Sequence, residues 1–311
     1  MALIASVYPP EIWANESLMV LTNELVMANL VHRNFEPDVR SGGDVVHTRK
    51  PTKLTSSNLS AQSGTNAGAT VTVQNPNATD LSITLNTHKY VAYLISDKDQ
   101  ADSLQDLRQE FLKPAIDPVA QDVDTDILAQ LNAGTDWNST GVTAVAGDTV
   151  GENAAADSGD VIAGMKAMND NLAPLSDRRL VLSTDHHADL LGENLFQQAN
   201  MAGTTDALRN AQVGRAFGFD TYLSQQAPDA SDTGSTPQSF GFHRNAVTLC
   251  VRPLGTIAPG MGARSYEASR NGLSIRVVES YNDLYSGVVV RFEILYGTKL
   301  LDAALATIIN P

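Results

Sequence analysis

A pair of adjacent histidines is the first candidate for chemistry in this chain. His186 and His187 follow Asp185, and Asp189 lies nearby; imidazole and carboxylate groups together can hold a metal ion or exchange protons. Neighbouring side chains on a helix point about 100° apart, however, so these two histidines do not share a face. We therefore expect surface or capping histidines, with an acid–base or binding site built on His186 and Asp185 as the alternative.

Three alternating carboxylates, Asp122, Asp124 and Asp126, resemble the start of a calcium-binding loop. That loop needs glycine at its sixth position, where this chain has Ile127, and the residues that follow are apolar and helical in pattern. The spacing predicts a solvated helix face. No phosphate loop, nucleophile elbow or zinc-ligand spacing is found in the sequence, so we expect no catalytic residue, no cofactor and no metal.

The composition limits the classes of partner. The chain has 311 residues and a formal net charge of −14, which argues against a protein that coats nucleic acid through a basic patch. Cys250 is the only cysteine, so no disulfide framework forms within the chain, and a small buried side chain is the expected role of that thiol. No run approaches the ~18 apolar residues of a membrane-spanning helix, and we expect no membrane partner.

The elements that position these residues centre on residues 80–132. The run 81–85 alternates apolar and polar residues, and 90–95 is rich in strand-favouring residues; both are predicted strands. From Ser96 or Asp97, apolar residues then recur at helical spacing as far as Leu131, which predicts a spine helix of roughly 30 residues, about 45 Å long. Pro114 and Pro118 lie inside it and predict a kink between them.

Two extensions precede the spine helix. Residues 11–32 are predicted to be helical and apolar on several sides, which indicates an arm that packs against something outside its own domain. Residues 44–95 are extended in pattern, and the tract 56–69 is almost wholly polar or small, so we predict a two-stranded ribbon with a polar tip that lies on a neighbour.

The rest of the chain alternates strands and helices and then becomes mostly strand. Helices are predicted from Asp160 and from Thr184 or Asp185, with strands at 179–183, 217–223, 240–243 and 246–251, so that about 150–252 forms an α/β domain. Runs 273–278 and 287–295 predict an antiparallel pair across a turn, packed under the spine helix.

In this order the parts resemble the major capsid protein of a tailed double-stranded-DNA bacteriophage. The similarity covers nearly the whole chain and is most evident at 89–99, 214–223, 245–253 and 289–299. It implies an α+β, HK-ninety-seven-like capsid fold with an N-terminal arm (1–43), an extended β-ribbon loop (44–95), a peripheral domain with spine helix and terminal hairpin (96–149 and 253–311) and an inserted axial α/β domain (150–252).

The resemblance also implies the function and partners. It implies a structural, non-enzymatic subunit that self-assembles as pentamers and hexamers into an icosahedral shell in the virion, built in the cytoplasm of a bacterial host. It further implies a separate scaffolding protein, a portal, weak non-specific contact with packaged double-stranded DNA, and room for a decoration protein. The residues expected at contacts between subunits are Ile12, Trp13, Leu18, Leu21, Leu25, Val71, Val73, Leu81 and Ile83.

Two questions stay open at this stage. Some phage shells cross-link a ribbon lysine to a neighbour's asparagine; Lys50, Lys53 or Lys89 with Asn271 or Asn282 could serve, although ordinary surface side chains are the simpler interpretation. The function also has two alternatives: the shell of a bacterial cargo-holding compartment of the same fold, or a monomeric α/β hydrolase-like or binding domain.

Overall fold

The structure is a computed structural model in which the described residues are 10–35, 45–52, 54–56, 73–98, 107–131, 143–146, 158–193, 213–228, 238–258, 262–270 and 273–310. Within them the helices are α1 (Pro10–Glu24), α2 (Met27–Leu30), α3 (Leu107–Leu131), α4 (Ser158–Asp170) and α5 (Thr184–Gly192), with a 3-10 turn at Ala303–Leu305. The strands are β1 (Val45–Pro51), β2 (Ala78–Thr84), β3 (Thr87–Ser96), β4 (Thr143–Ala146), β5 (Arg178–Leu182), β6 (Arg215–Ala216), β7 (Phe219–Leu223), β8 (Ser239–His243), β9 (Val247–Arg252), β10 (Ala263–Arg270), β11 (Leu273–Asn282), β12 (Gly287–Leu300) and β13 (Ala306–Asn310).

A five-stranded antiparallel sheet carries the spine helix. Its order is β10–β11–β12–β3, and β9 pairs with the far end of β12. The predicted pair is β11 and β12, joined so that Asn282 lies opposite Gly287. Helices α1, α2 and α3 pack over this sheet in one apolar core, and α3 contacts the strands β12, β3 and β9.

The spine helix is described in two parts. Ser96 ends strand β3 and Asp97 and Lys98 are helical, as predicted for the start of the helix, while 99–106 lie outside the described residues. Helix α3 is described over the 25 residues from Leu107 to Leu131, about 38 Å at 1.5 Å per residue. It is assigned as one helix through Pro114 and Pro118, both of which are exposed. Its buried side is the predicted apolar stripe, except that Phe111 is exposed at one edge.

The arm is two helices rather than one. Helix α1 ends at Glu24, and the chain re-enters a short helix at Met27. Both helices pack within the chain, α1 on α3, β10 and β11, and α2 on α3. These elements lie outside the predicted arm (1–43) but in the same chain, so the described side chains of the arm are covered within their own subunit.

The ribbon is formed by β1 and β2, an antiparallel pair running from Val45 opposite Thr84 to Pro51 opposite Ala78. The predicted strand 70–74 lies largely outside the described residues, and Val73 and Gln74 are not in a strand. At its base the ribbon crosses β12 so closely that a Cβ added at Gly297 would lie 2.3 Å from the carbonyl oxygen of Thr84. Glycine is required there because any side chain would push the ribbon away from the sheet.

The second unit is a six-stranded sheet in the order β4–β13–β8–β5–β7–β6. Every residue of its inner strand β8 is buried, and α4 packs so closely on β13 that a Cβ at Gly164 would lie 2.9 Å from the side chain of Ile309. Three strands lie in a different sheet from the one that their predicted domains imply. Strand β4 and the C-terminal strand β13, both predicted to be peripheral, belong to this six-stranded sheet. Strand β9, predicted to be axial, pairs with β12 in the five-stranded sheet.

Candidate assembly surface

The base of the ribbon is fixed to its own subunit. Ile83 and Leu85 form a buried cluster with Cys250, packed against Val46 and Leu301. Ile83 is fully buried and so has no surface to offer a neighbour, which corrects its assignment as a contact between subunits. The cysteine is the small buried side chain that was predicted.

Beyond its base, the ribbon makes an ion pair with the body of the subunit, and several of its apolar side chains are exposed. The Lys50 ammonium lies 2.7 Å from the Asp302 carboxylate, and both line a groove beneath the ribbon together with Leu81. Farther out, Val73 is 86% exposed and Leu54 is 60% exposed. Among the predicted contact residues described here, Val73 and the half-buried Leu81 keep surface for a neighbour, while Val71 lies outside the described residues.

The predicted contact residues of the arm have a different role. Leu18, Leu21 and Leu25 are 4%, 0% and 3% exposed and belong to the main core. Because the same chain already covers them, the assignment of these three to contacts between subunits is wrong. Ile12 and Trp13 lie in α1, but their side chains fall outside the described residues.

Asp124 attaches the arm to the spine helix. It is 4% exposed, and its carboxylate accepts hydrogen bonds from the backbone N–H groups of Val26 (2.8 Å), Met27 (3.1 Å) and Ala28 (3.3 Å). Burial raises its pKa to about 6, against the opposing effect of those three donors. The prediction of a solvated face is thus wrong at this position. The signal was present in the sequence, since Asp124 lies inside the apolar stripe.

A second buried carboxylate braces the five-stranded sheet. Glu293 is 1% exposed and lies within 3.1 Å of Arg276, 3.0 Å of Arg291 and 2.8 Å of His88. Burial alone would raise the pKa of Glu293. The hydrogen bond and charge of Arg276, the charge of Arg291 and the hydrogen bond of His88 instead hold that pKa below its usual value. The cluster links the three adjacent strands β11, β12 and β3, and its three ion pairs favour a structural role for Glu293.

His186, the sequence candidate for chemistry, is a core residue rather than a surface one. It is 1% exposed, and its Nδ1 lies 2.6 Å from Oγ of Ser239, which is fully buried. Burial lowers its pKa to about 4, outweighing the opposite effects of Asp189 and Asp185. Because both side chains of this pair are buried, the geometry favours a structural role.

The cross-link candidates have partners within the chain. Lys50 pairs with Asp302 as described above, Lys89 lies 3.3 Å from Asp122, and the Asn282 side chain accepts a hydrogen bond from the N–H of Leu284. Lys53 and Asn271 lie outside the described residues. Cross-linking between subunits therefore stays a prediction.

The described residues also bear on metal binding and membrane insertion. In that part of the chain, no group of three or more His, Cys, Asp or Glu side chains is arranged to hold a metal ion. Within the same residues, no helix combines the length and the apolar character needed to cross a membrane.

Several exposed apolar side chains lie in two connecting segments. Leu172 and Leu175, between α4 and β5, are 81% and 74% exposed. Tyr281, Leu284 and Tyr285, around the β11–β12 turn, are 53%, 81% and 61% exposed. Together with Leu54 and Val73 of the outer ribbon, they are among the most exposed apolar side chains described, and exposed apolar patches commonly mark protein contacts.

An exposed ribbon, a spine helix over an antiparallel sheet and a separate α/β sheet define the tailed-phage capsid fold, and comparison with solved structures agrees. A chain of Mycobacterium phage Che8 is similar with a TM-score of 0.65 at 19% identity, covering 91% of this chain and 90% of that one. The capsid of the Cyanophage P-SCSP1u gives 0.57 at 15% identity, covering 86% and 83%. A virus-like particle from Pyrococcus furiosus gives 0.54 at 8% identity, covering 96% and 97%. No family model and no curated protein matches the chain.

Proposed function

We propose that this chain is a capsid shell subunit, which self-assembles with copies of itself into an icosahedral shell around the double-stranded DNA of a tailed bacteriophage. The observation that carries the proposal is the fold, which is shared with a phage capsid over 86% of this chain. Its role is structural rather than catalytic, because the sequence candidate for chemistry is buried and serves the axial core.

The distribution of exposed apolar surface supports self-assembly. The arm and the ribbon base are buried within the subunit, whereas Leu54 and Val73 of the outer ribbon are 60% and 86% exposed. A ribbon of this kind gains stability by lying on a neighbouring subunit. In a closed shell each such contact is repeated by symmetry, so modest contacts add up over many copies.

Rings of copies are part of the proposal. The capsid of an empty GTA particle, computed with C5 symmetry, is similar to this chain with a TM-score of 0.55 at 13% identity. By analogy, we propose pentamers and hexamers here, with a separate scaffolding protein, a portal and a possible site for a decoration protein. The net charge of −14 repels phosphate, which keeps contact with packaged DNA weak and non-specific.

Electron microscopy tests the proposal. The protein is expressed alone and with its neighbouring genes, and both preparations are imaged in negative stain. Closed polyhedral shells, or rings of five and six subunits, are expected; a monodisperse monomer in both preparations would refute the proposal. Shells carrying DNA identify a virion, whereas shells loaded with a protein cargo identify the compartment of the same fold.

A deletion tests the ribbon. Removal of residues 56–69 should leave the subunit folded, because the ribbon base is fixed by its own cluster around Ile83, but should impair the stability of the particles. Circular dichroism of the subunit is the control for folding. Normal particles from the deletion variant would count against a role of the ribbon in assembly.

A further inference from the structure

The loop between α4 and β5 begins with a specific helix cap. The N–H of Leu172 bonds to the carbonyl of Asn169 (2.9 Å), and the N–H of Ala173 bonds to the carbonyl of Met168 (3.0 Å). These two bonds form a Schellman motif, in which the residue after the cap takes the left-handed backbone conformation. Ala173 and Met168 are both buried in the axial core, as this motif requires.

The residue in the left-handed position is the unusual feature. Leu172 has a φ of 58°, where glycine is the residue normally found because it has no Cβ to clash. Leucine there stores backbone strain, and its side chain is 81% exposed, so it recovers nothing by packing within the subunit. Strained residues of this kind often mark functional sites. The leucine is therefore not explained by the stability of the subunit.

The rest of the loop is held rigidly. Arg178 is 3% exposed, and its guanidinium donates hydrogen bonds to the carbonyl oxygens of Pro174 (2.7 Å) and Ala173 (2.8 Å). The carbonyl of Asp177 accepts a bond from the N–H of Arg244 (3.2 Å). A buried arginine used in this way fixes the loop in one shape. Because the loop is already fixed, its backbone loses little conformational entropy when the leucines bind a partner.

We infer that Leu172 and Leu175 form an apolar contact with a second copy of this chain in the assembled shell. The inference rests on the proposed function, in which every subunit belongs to a ring of five or six copies. In a ring of this type, each contact joins one patch of a copy to a different patch of the next copy. The apolar loop before β5 can therefore contact another part of the adjacent copy rather than the same loop. Two exposed leucines on a preorganised loop suit such a contact.

The first test separates strain from contact. Leu172→Gly relieves the left-handed strain, so the unfolding midpoint of the unassembled subunit should not fall, yet the concentration needed for assembly should rise by about tenfold. Asp177→Gly is the matched control: Asp177 also has a positive φ, 52°, in the same loop, and removing its side chain costs no apolar contact. Assembly of Leu172→Gly at the wild-type concentration would overturn the inference.

The second test uses the single native cysteine. Cys250 is fully buried, so Leu175→Cys adds the one readily accessible thiol among the described residues. In particles freed of all other proteins, this thiol should react with a small alkylating reagent at least about tenfold more slowly than in the dissociated subunit; equal rates would refute a contact with a second copy. If wild-type subunits form no shells at all, the proposed function fails instead, which distinguishes the two failures.

Discussion

Replacing Asp124 by asparagine should remove a defined part of the pH dependence of stability. The Asp124 carboxylate is buried where α3 meets the arm and accepts three backbone N–H bonds, from Val26, Met27 and Ala28. Burial outweighs these donors and raises its pKa from 3.8 to about 6. No charged side chain contributes to this shift, so the effect belongs to one residue and one substitution isolates it.

The sign and size follow from proton linkage. The pKa is higher in the folded than in the unfolded state, so the favourable contribution of Asp124 is complete below pH 3.8 and is lost as the pH rises through about 6. A rise of about 2 in pKa corresponds to about 3 kcal/mol. Relative to Asp124→Asn, the wild-type subunit should therefore lose about 3 kcal/mol of unfolding free energy between pH 3.5 and pH 7.

Two measurements check this prediction. In a subunit labelled with ¹³C at aspartate carboxyl carbons, one resonance should titrate with a midpoint near pH 6, and the same resonance should be missing from Asp124→Asn. Urea unfolding of both proteins across that range gives the free-energy difference, and any constant loss caused by the amide cancels from its pH dependence. Two results would refute a raised pKa at Asp124: a titration midpoint below pH 4, or unfolding free energies of the two proteins that change in parallel with pH.

Three further perturbations test other parts of the structure. Burial raises the pKa of Glu279 to about 7, so Glu279→Gln should stabilise the subunit by about 2 kcal/mol above pH 7 and give no gain below pH 4.5 in urea unfolding. Gly297→Ala should destabilise it by about 3 kcal/mol or more because its Cβ meets backbone, whereas Gly192→Ala, with nothing within 4 Å, should not; thermal unfolding compares them. A double-mutant cycle on Lys50 and Asp302 should give a coupling of about 0.5 kcal/mol that disappears in high salt, since the pair is partly exposed.

Local patterns predicted the elements well where one face of a strand or helix is buried. The alternation in 81–85 predicted β2, and the strand-favouring residues of 90–95 predicted β3. The runs on either side of the 281–283 turn predicted β11 and β12. These signals are short-range, because side-chain alternation and turn residues depend only on neighbours in sequence. The strand at 263–270 was missed because its polar residues interrupt the pattern.

Long-range partners could not be predicted in the same way. The apolar positions of α1 identified a buried helix, but periodicity does not tell whether the covering surface belongs to the same chain or to another copy. The same limit applies to β13, whose parallel pairing with β4 joins residues more than 150 positions apart. Asp124 is the exception, since a carboxylate within an apolar stripe implies a buried acceptor even though its donors remain unknown.

The distribution of burial explains how a subunit of this kind can fold before it assembles. The arm helices and the ribbon base, which are extensions in sequence, complete the core of their own chain. Among the described residues, the most exposed large apolar side chains include those of the outer ribbon, the loop carrying Leu172 and Leu175, and the β11–β12 turn. Contacts made through a few side chains at a time are weak singly, which keeps single encounters reversible. A closed shell engages all of them at once on every copy, and that cooperation makes the assembled state stable while misplaced subunits can still leave.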